Sequence, residues 1–260
     1  MTINNIASSQ LNNSMIRIAT GNRINSAADD AAGLAIAERM SAQIRSLDRA
    51  TENVMDMQNL VNTAEGGLSS INNNLQRMRE LALQASNAIF TADDRQRIQD
   101  EIVQIREEID AVAQRTEFNG MRVLDGGFSA GLHTAADANA AGPTVTIGNM
   151  DSGMLLGAGE FNVVSGVGFD ISRIDNAMAR VNSQRSYLGA MSNRFDTTIA
   201  SNQITNLNLA ASRSRIADQD IGLAVMQMTQ AQTMEQLQIE MQQRRQEQEE
   251  EGIQILSFLR

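Results

Sequence analysis

Residues 29 and 30 are both aspartate, within the stretch RINSAADDAAGLAIAERM that runs from Arg23 to Met40. Two adjacent carboxylates can share a proton and act as an acid/base dyad. That chemistry needs a cleft or a second charged cluster, and the surrounding alanines and glycine supply neither, so helix capping is the favoured reading. Asp218-x-Asp220-x-Gly222 begins like a calcium loop but lacks the third ligand before its glycine. Gly166-x-Gly168 lacks the third glycine of a phosphate fingerprint. His133, the only histidine, has no cysteine or second histidine with which to hold a metal, and is read as a surface residue. Met226, Met228, Met234 and Met241 read as adaptable packing surface rather than a cofactor box. The residues therefore point to no catalytic, metal or cofactor site, and to a protein that is not an enzyme.

Composition points the same way. The 260 residues include one proline (Pro143) and only 3% aromatics, which favours long uninterrupted helices over an aromatic-rich globular core. All 21 basic residues are arginine, and the net charge is −10. An acidic chain without a basic patch is unsuited to nucleic acid. There is no cysteine for disulfides or thiolate sites. MTINNIASSQ has neither the basic region nor the apolar run of a secretory signal. No apolar segment is long enough to span a membrane as a helix.

The elements come from periodicity. Alternating steps of three and four from residue 47 select Leu47, Ala50, Val54, Met57, Val61, Ala64, Leu68, Ile71, Leu75, Met78, Ala82 and Ala85, all apolar, as a coiled-coil seam predicted to run to residue 85. Leu47, Val54, Val61, Leu68 and Leu75 are the expected rod core. A second helix opens at TADDRQRIQDEI, with Thr91 as its N-cap, and carries Ile98, Ile102, Ile105, Ile109 and Val112. Asn119-Gly120 and Asp125-Gly126 are turn signals that open a Gly-rich hairpin region, which includes Thr144–Ile147. Helical spacing returns at Ile171, Ile174, Met178, Val181, Leu188, Met191, Phe195 and Ile199, with a polar gap near Arg185, and a last helix carries Ile221, Val225 and Met228.

The predicted fold is mainly α: a long antiparallel helical coiled-coil rod, a small β-hairpin region at one tip, and paired N- and C-terminal helices. Its segments are 1–40 (terminal helix and connector), 41–117 (rod helices), 118–168 (hairpin region), 169–217 (returning rod helix) and 218–260 (terminal helix). The apolar stripe of residues 1–22 is too sparse to fold alone and needs a partner surface.

Four stretches resemble bacterial flagellin and occur in that family's order: RINSAADDAAGLAIAERM, INNNLQRMRELALQASN (71–87), EFNGMRVLDG (117–126) and the closing ILSFLR (255–260). The resemblance implies a structural subunit that self-assembles into a helical filament of identical copies for motility. It implies a secreted protein, exported by a type III apparatus with an export chaperone and a filament cap, in a filament outside the cell or in the periplasm. Within it, Arg23, Asn25, Asp29, Asp30 and Gly33 belong to a connector between terminal helices and rod. Arg77, Leu81 and Glu101 match a contact with neighbouring subunits or with the host Toll-like receptor five; Leu81, off the seam, is expected to need a second surface to cover it. The alternative is a hook–filament junction or adaptor protein, whose paired aspartates are usually followed by proline where this chain has Ala31. Two features depart from the family pattern: a short segment before RINSA, and the charged run QQRRQEQEEE (242–251).

Overall fold

A computed structural model describes residues 2–133, 141–157, 161–164 and 170–258. The helices are α1 (Thr2–Thr20), α2 (Ala27–Ala85), α3 (Ala92–Arg115), α4 (Ser152–Leu156), α5 (Ile171–Ala217) and α6 (Ile221–Phe258). The strands form two antiparallel pairs, β1 (Glu117–Phe118) with β2 (Met121–Arg122) and β3 (Ser129–His133) with β4 (Ala141–Thr146). The chain divides into two compact units. One holds residues 1–44 and 207–260, the other residues 45–206. Gly166, Gly168 and the side chain of His133 lie outside the described residues.

In the unit of residues 45–206, all twelve seam positions from Leu47 to Ala85 are buried, eight of them with no exposed surface. Ile174, Val181, Leu188, Met191 and Phe195 of α5 are buried in the same cluster as the seam from Val54 onward. The polar gap in α5 has a physical reason. Arg185 reaches Glu65 at 2.7 Å, one rung of a flank in which Gln58 donates to Asp196 at 2.8 Å and Arg79 pairs with Asp175 at 2.7 Å. Gln58, Glu65, Asn72 and Arg79 recur every seven residues, so the α2 edge beside the seam is polar and tied to α5.

The opposite flank of α2 is mostly apolar: Leu60, Gly67 and Leu81 fall in one heptad register and are buried, with half-buried Asn74 between them. A Cβ at Gly67 would lie 2.6 Å from Thr116 Oγ1 and 2.8 Å from Leu124 Cδ1, so only glycine lets the 116–124 segment lie on the helix here. Here α2 packs on more than α5. The Ile98, Ile102 and Ile109 stripe of α3 belongs to the same core. Thr91 starts α3 with a reciprocal capping box: its hydroxyl accepts from Asp94 N while the Asp94 carboxylate accepts from Thr91 N.

The strands are short. Asn119 (φ 51°) and Gly120 (φ 74°) form the two-residue turn between β1 and β2 in the left-handed conformation that tight hairpins require. Val145 and Ile147 alternate inward into the core. Gln99 of α3 clamps the following segment at both ends of its amide, donating to Phe161 O at 2.8 Å and accepting from Val163 N at 2.9 Å.

Candidate assembly surface

The paired aspartates are caps, and each has its own task. Asp29 accepts from the backbone N–H groups of Ser26 and Asn25 at 3.0 and 3.2 Å, from the Ser26 hydroxyl, and from Arg17 at 3.3 Å. The Ser26 and Asn25 amides, in that order, hold its carboxyl below the ordinary aspartate value. Asp30 is extended (φ −165°) and its carboxylate accepts from Gly33 N at 2.8 Å, which is N-cap geometry. The long helix therefore restarts at Ala31 after a break at Asp30. A Cβ at Gly33 would fall 2.4 Å from Asp30 Oδ2 and 2.7 Å from Ile24 Cδ1, so a bare backbone there gives room to both the cap and buried Ile24.

Arg23 closes the same unit from the other side. Its backbone N–H donates to Ala217 O at 2.7 Å and its guanidinium to Ile216 O at 2.6 Å, two of the carbonyls that α5 leaves unpaired at its C-terminus. Gln219 N returns a bond to Gly21 O at 2.9 Å, and Asn25 Nδ2 donates to Asn22 O at 3.0 Å. Asp220, from the calcium-like sequence, accepts from Leu223 N at 3.1 Å and so caps α6. Among the described residues no group of acidic or histidine side chains is arranged to hold a metal. Connector residues 21–30 are thus a hydrogen-bonded joint, whereas residues 31–40 are already regular α2.

From this joint α1 and α6 run together. Among the described residues, the half-buried and buried positions of α6 are Ala224, Met228, Ala231, Glu235 and Gln238, a 4-3-4-3 stripe with few large apolar side chains. The larger ones point elsewhere. Leu223, Met226, Met234, Leu237 and Met241 of α6 are exposed, Met226 and Met241 by more than 60%, as are Met15 and Ile16 of α1. The charged run lies further along α6, and its residues 242–249 are exposed.

The third group of residues is only partly brought together at the surface. Arg77 Nε and Nη2 both bond Glu101 Oε1, at 3.1 and 2.8 Å, and Arg77 Nη1 reaches Glu80 at 3.4 Å. The hydrogen bond to Glu101 and then its charge raise the Arg77 pKa above its ordinary value. Both side chains remain about half exposed. Leu81 is different: it does have a second surface, but within the chain rather than on a neighbouring subunit, for it is only 2% exposed and joins Leu60 and Gly67 on the flank packed within the core. The heptad frame presumes one partner for α2. The heptad register that Leu60, Gly67 and Leu81 share is the signal for the second.

The model of the bacterial flagellin N-terminal helical region matches residues 1–129, and that of the C-terminal helical region matches residues 171–258. The chain is 36% identical to a flagellin of Bacillus subtilis, over 85% of this chain and 83% of that protein. It is 39% identical to a flagellin of Halalkalibacterium halodurans, over 80% and 77%. Among solved structures, flagellin of Bacillus cereus superposes with a TM-score of 0.51 at 30% identity, covering 58% of this chain and 88% of that one. No helix among the described residues is long and apolar enough to cross a membrane. The capped joint, the paired terminal helices and the heptad seam are thus those of a structural subunit of the flagellar filament, and the chain belongs to the bacterial flagellin family.

Proposed function

We propose that polymerisation of this subunit proceeds by burial of the apolar faces of α1 and α6 against other copies. The single observation that carries this reading is the row of large apolar side chains, from Met15 and Ile16 to Leu223, Met226, Leu237 and Met241, left exposed on helices that already pack on each other. A contact between different patches of identical chains does not close on itself and grows a helical filament. Electron microscopy of purified subunit after addition of filament seeds tests this: long filaments are expected, and short oligomers or none would indicate a junction or adaptor protein instead. On the same reading the subunit is secreted through a type III apparatus without cleavage, accompanied by an export chaperone and placed by a filament cap. Secretion assays in strains lacking either partner test those steps.

Arg77 and Glu101 support a second role. Their exposed, two-bond ion pair presents a fixed charge pattern on α2 and α3 to Toll-like receptor five or to a neighbouring subunit. Leu81 acts from beneath, by holding α2 in place. Dissociated subunit should activate receptor-reporter cells and intact filament should not. Arg77→Ala should lower signalling at an unchanged melting temperature, whereas Leu81→Ala should lower both. Full signalling from Arg77→Ala would rule the receptor role out.

A further inference from the structure

We propose that the outward face of α6 is an oxidation-sensitive assembly surface, in which sulfoxidation of Met226, Met234 and Met241 in the free subunit blocks its incorporation into filaments. At 3.6 residues per turn, Leu223, Met226, Met234, Leu237 and Met241 fall within an arc of about 80°, centred about 120° around the helix from the stripe of Ala224, Met228, Ala231, Glu235 and Gln238. All five are exposed, the three methionines by 63%, 51% and 64%. Met228, on the inward stripe, is half-buried. Three of the four methionines of this helix therefore share one solvent-facing surface.

The chemistry needs only a peroxide. A thioether sulfur lone pair attacks one peroxide oxygen, an S–O bond forms and the O–O bond breaks. The second oxygen leaves, takes up a proton and becomes water. Sulfur is oxidised by two electrons and the peroxide is reduced. The product replaces a flexible apolar group with a polar sulfoxide. On a surface that stays in water this changes little. On one that must be dehydrated against another copy, each sulfoxide arrives without a hydrogen-bond partner. The chain has no cysteine to intercept the oxidant. Met15 of α1 shares the proposed assembly surface and is exposed to the same oxidant, and Met55, Met121 and Met154, exposed in the other unit, are separated by peptide position.

This inference rests on the reading that α6 is buried between copies, and one experiment separates the two. Free subunit and preformed filament are treated with hydrogen peroxide, sulfoxides are mapped by peptide mass spectrometry, and seeded elongation is followed by light scattering. In the free subunit Met226, Met234 and Met241 should oxidise, and in the filament they should be protected. Elongation of the oxidised subunit should slow by about tenfold or more, the scale set by one unpartnered polar group. A methionine sulfoxide reductase should restore it. The variant M15L/M226L/M234L/M241L, followed against its own untreated rate, should show no further loss of elongation after peroxide. Equal oxidation of these methionines in subunit and filament would overturn the burial of α6 on which the inference stands. Protection in the filament, combined with undiminished elongation of sulfoxide-bearing subunit, would overturn the inference alone.

Discussion

The unit of residues 45–206 and the unit built on α1 and α6 use helices of similar composition and treat their apolar side chains in opposite ways. In the first, every seam residue of α2 from Leu47 to Ala85 is buried within the chain, and a second flank, Leu60, Gly67 and Leu81, is covered as well. In the second, α6 turns mostly small or polar residues inward, with Met228 the large apolar one, and leaves most of its larger apolar side chains in solvent. Burial of a leucine or methionine contributes about 2 kcal/mol wherever it occurs. One unit gains that contribution on folding; on the proposed reading the other gains it when copies meet, so that folding and polymerisation draw on separate sets of residues.

The contrast is most severely tested at the seam. Leu68 has no exposed surface, so Leu68→Asp places a charge where it has no partner, at a cost of about 4 kcal/mol or more. The subunit should lose most of its helical circular dichroism well below the wild-type melting temperature and should not elongate seeds. By contrast Leu237→Asp, on the exposed face of α6, should leave the melt of the free subunit unchanged and abolish elongation. Equal effects of the two substitutions on the melt would erase the distinction between the units.

Two neighbouring glycines sharpen it further. Gly67 faces Thr116 and Leu124, and Gly67→Ala should destabilise by about 1–3 kcal/mol through overpacking. A Cβ added at Gly66 would meet nothing within 4 Å, so Gly66→Ala should stabilise by about 1 kcal/mol through helix propensity alone. Denaturant unfolding of both variants reads the opposite signs directly. At the start of α3, Thr91→Ala removes the hydroxyl of the capping box and should cost about 1 kcal/mol.

The smallest effect is on pH. Thr91's hydroxyl and then its backbone amide hold the Asp94 carboxyl below its usual value, and the Ser26 and Asn25 amides do the same for Asp29. A carboxylate whose folded pKa is depressed stabilises the fold fully above its unfolded value near pH 4. That contribution is lost as pH falls through the lower folded value. Melting temperature should therefore be flat from pH 7 to about 5 and fall below about 4, with a shallower fall in Asp94→Asn. An identical acid profile for that variant would remove the capping carboxylate from the account.

Much of this is legible from spacing. The seam, the Thr91 cap and the Asn119-Gly120 turn are local patterns, each fixed by a few residues whose physical preference has one outcome. Leu81 escapes the heptad frame because that frame describes one interface, while α2 packs on α5 and on the α3 side at once. The polar flank of Gln58, Glu65 and Arg79 is equally hidden, since its partners Asp196, Arg185 and Asp175 lie more than 90 residues away. The separate duties of Asp29 and Asp30 depend on a single extended residue in an otherwise helical run, which composition does not signal. The charged run at 242–251 gives no sign in the sequence of how it is placed, and its residues 242–249 are exposed.

The central claim is that the unit of residues 45–206 is stable within one chain while α1 and α6 are completed by other copies. Hydrogen exchange, measured by mass spectrometry on free subunit and on seeded filament, tests it most directly. The account predicts slow exchange over 47–85 and 174–199 in both states. Over 2–20 and 221–258 it predicts fast exchange in the subunit that becomes slow in the filament. Equal protection of the terminal helices in the two states would contradict it.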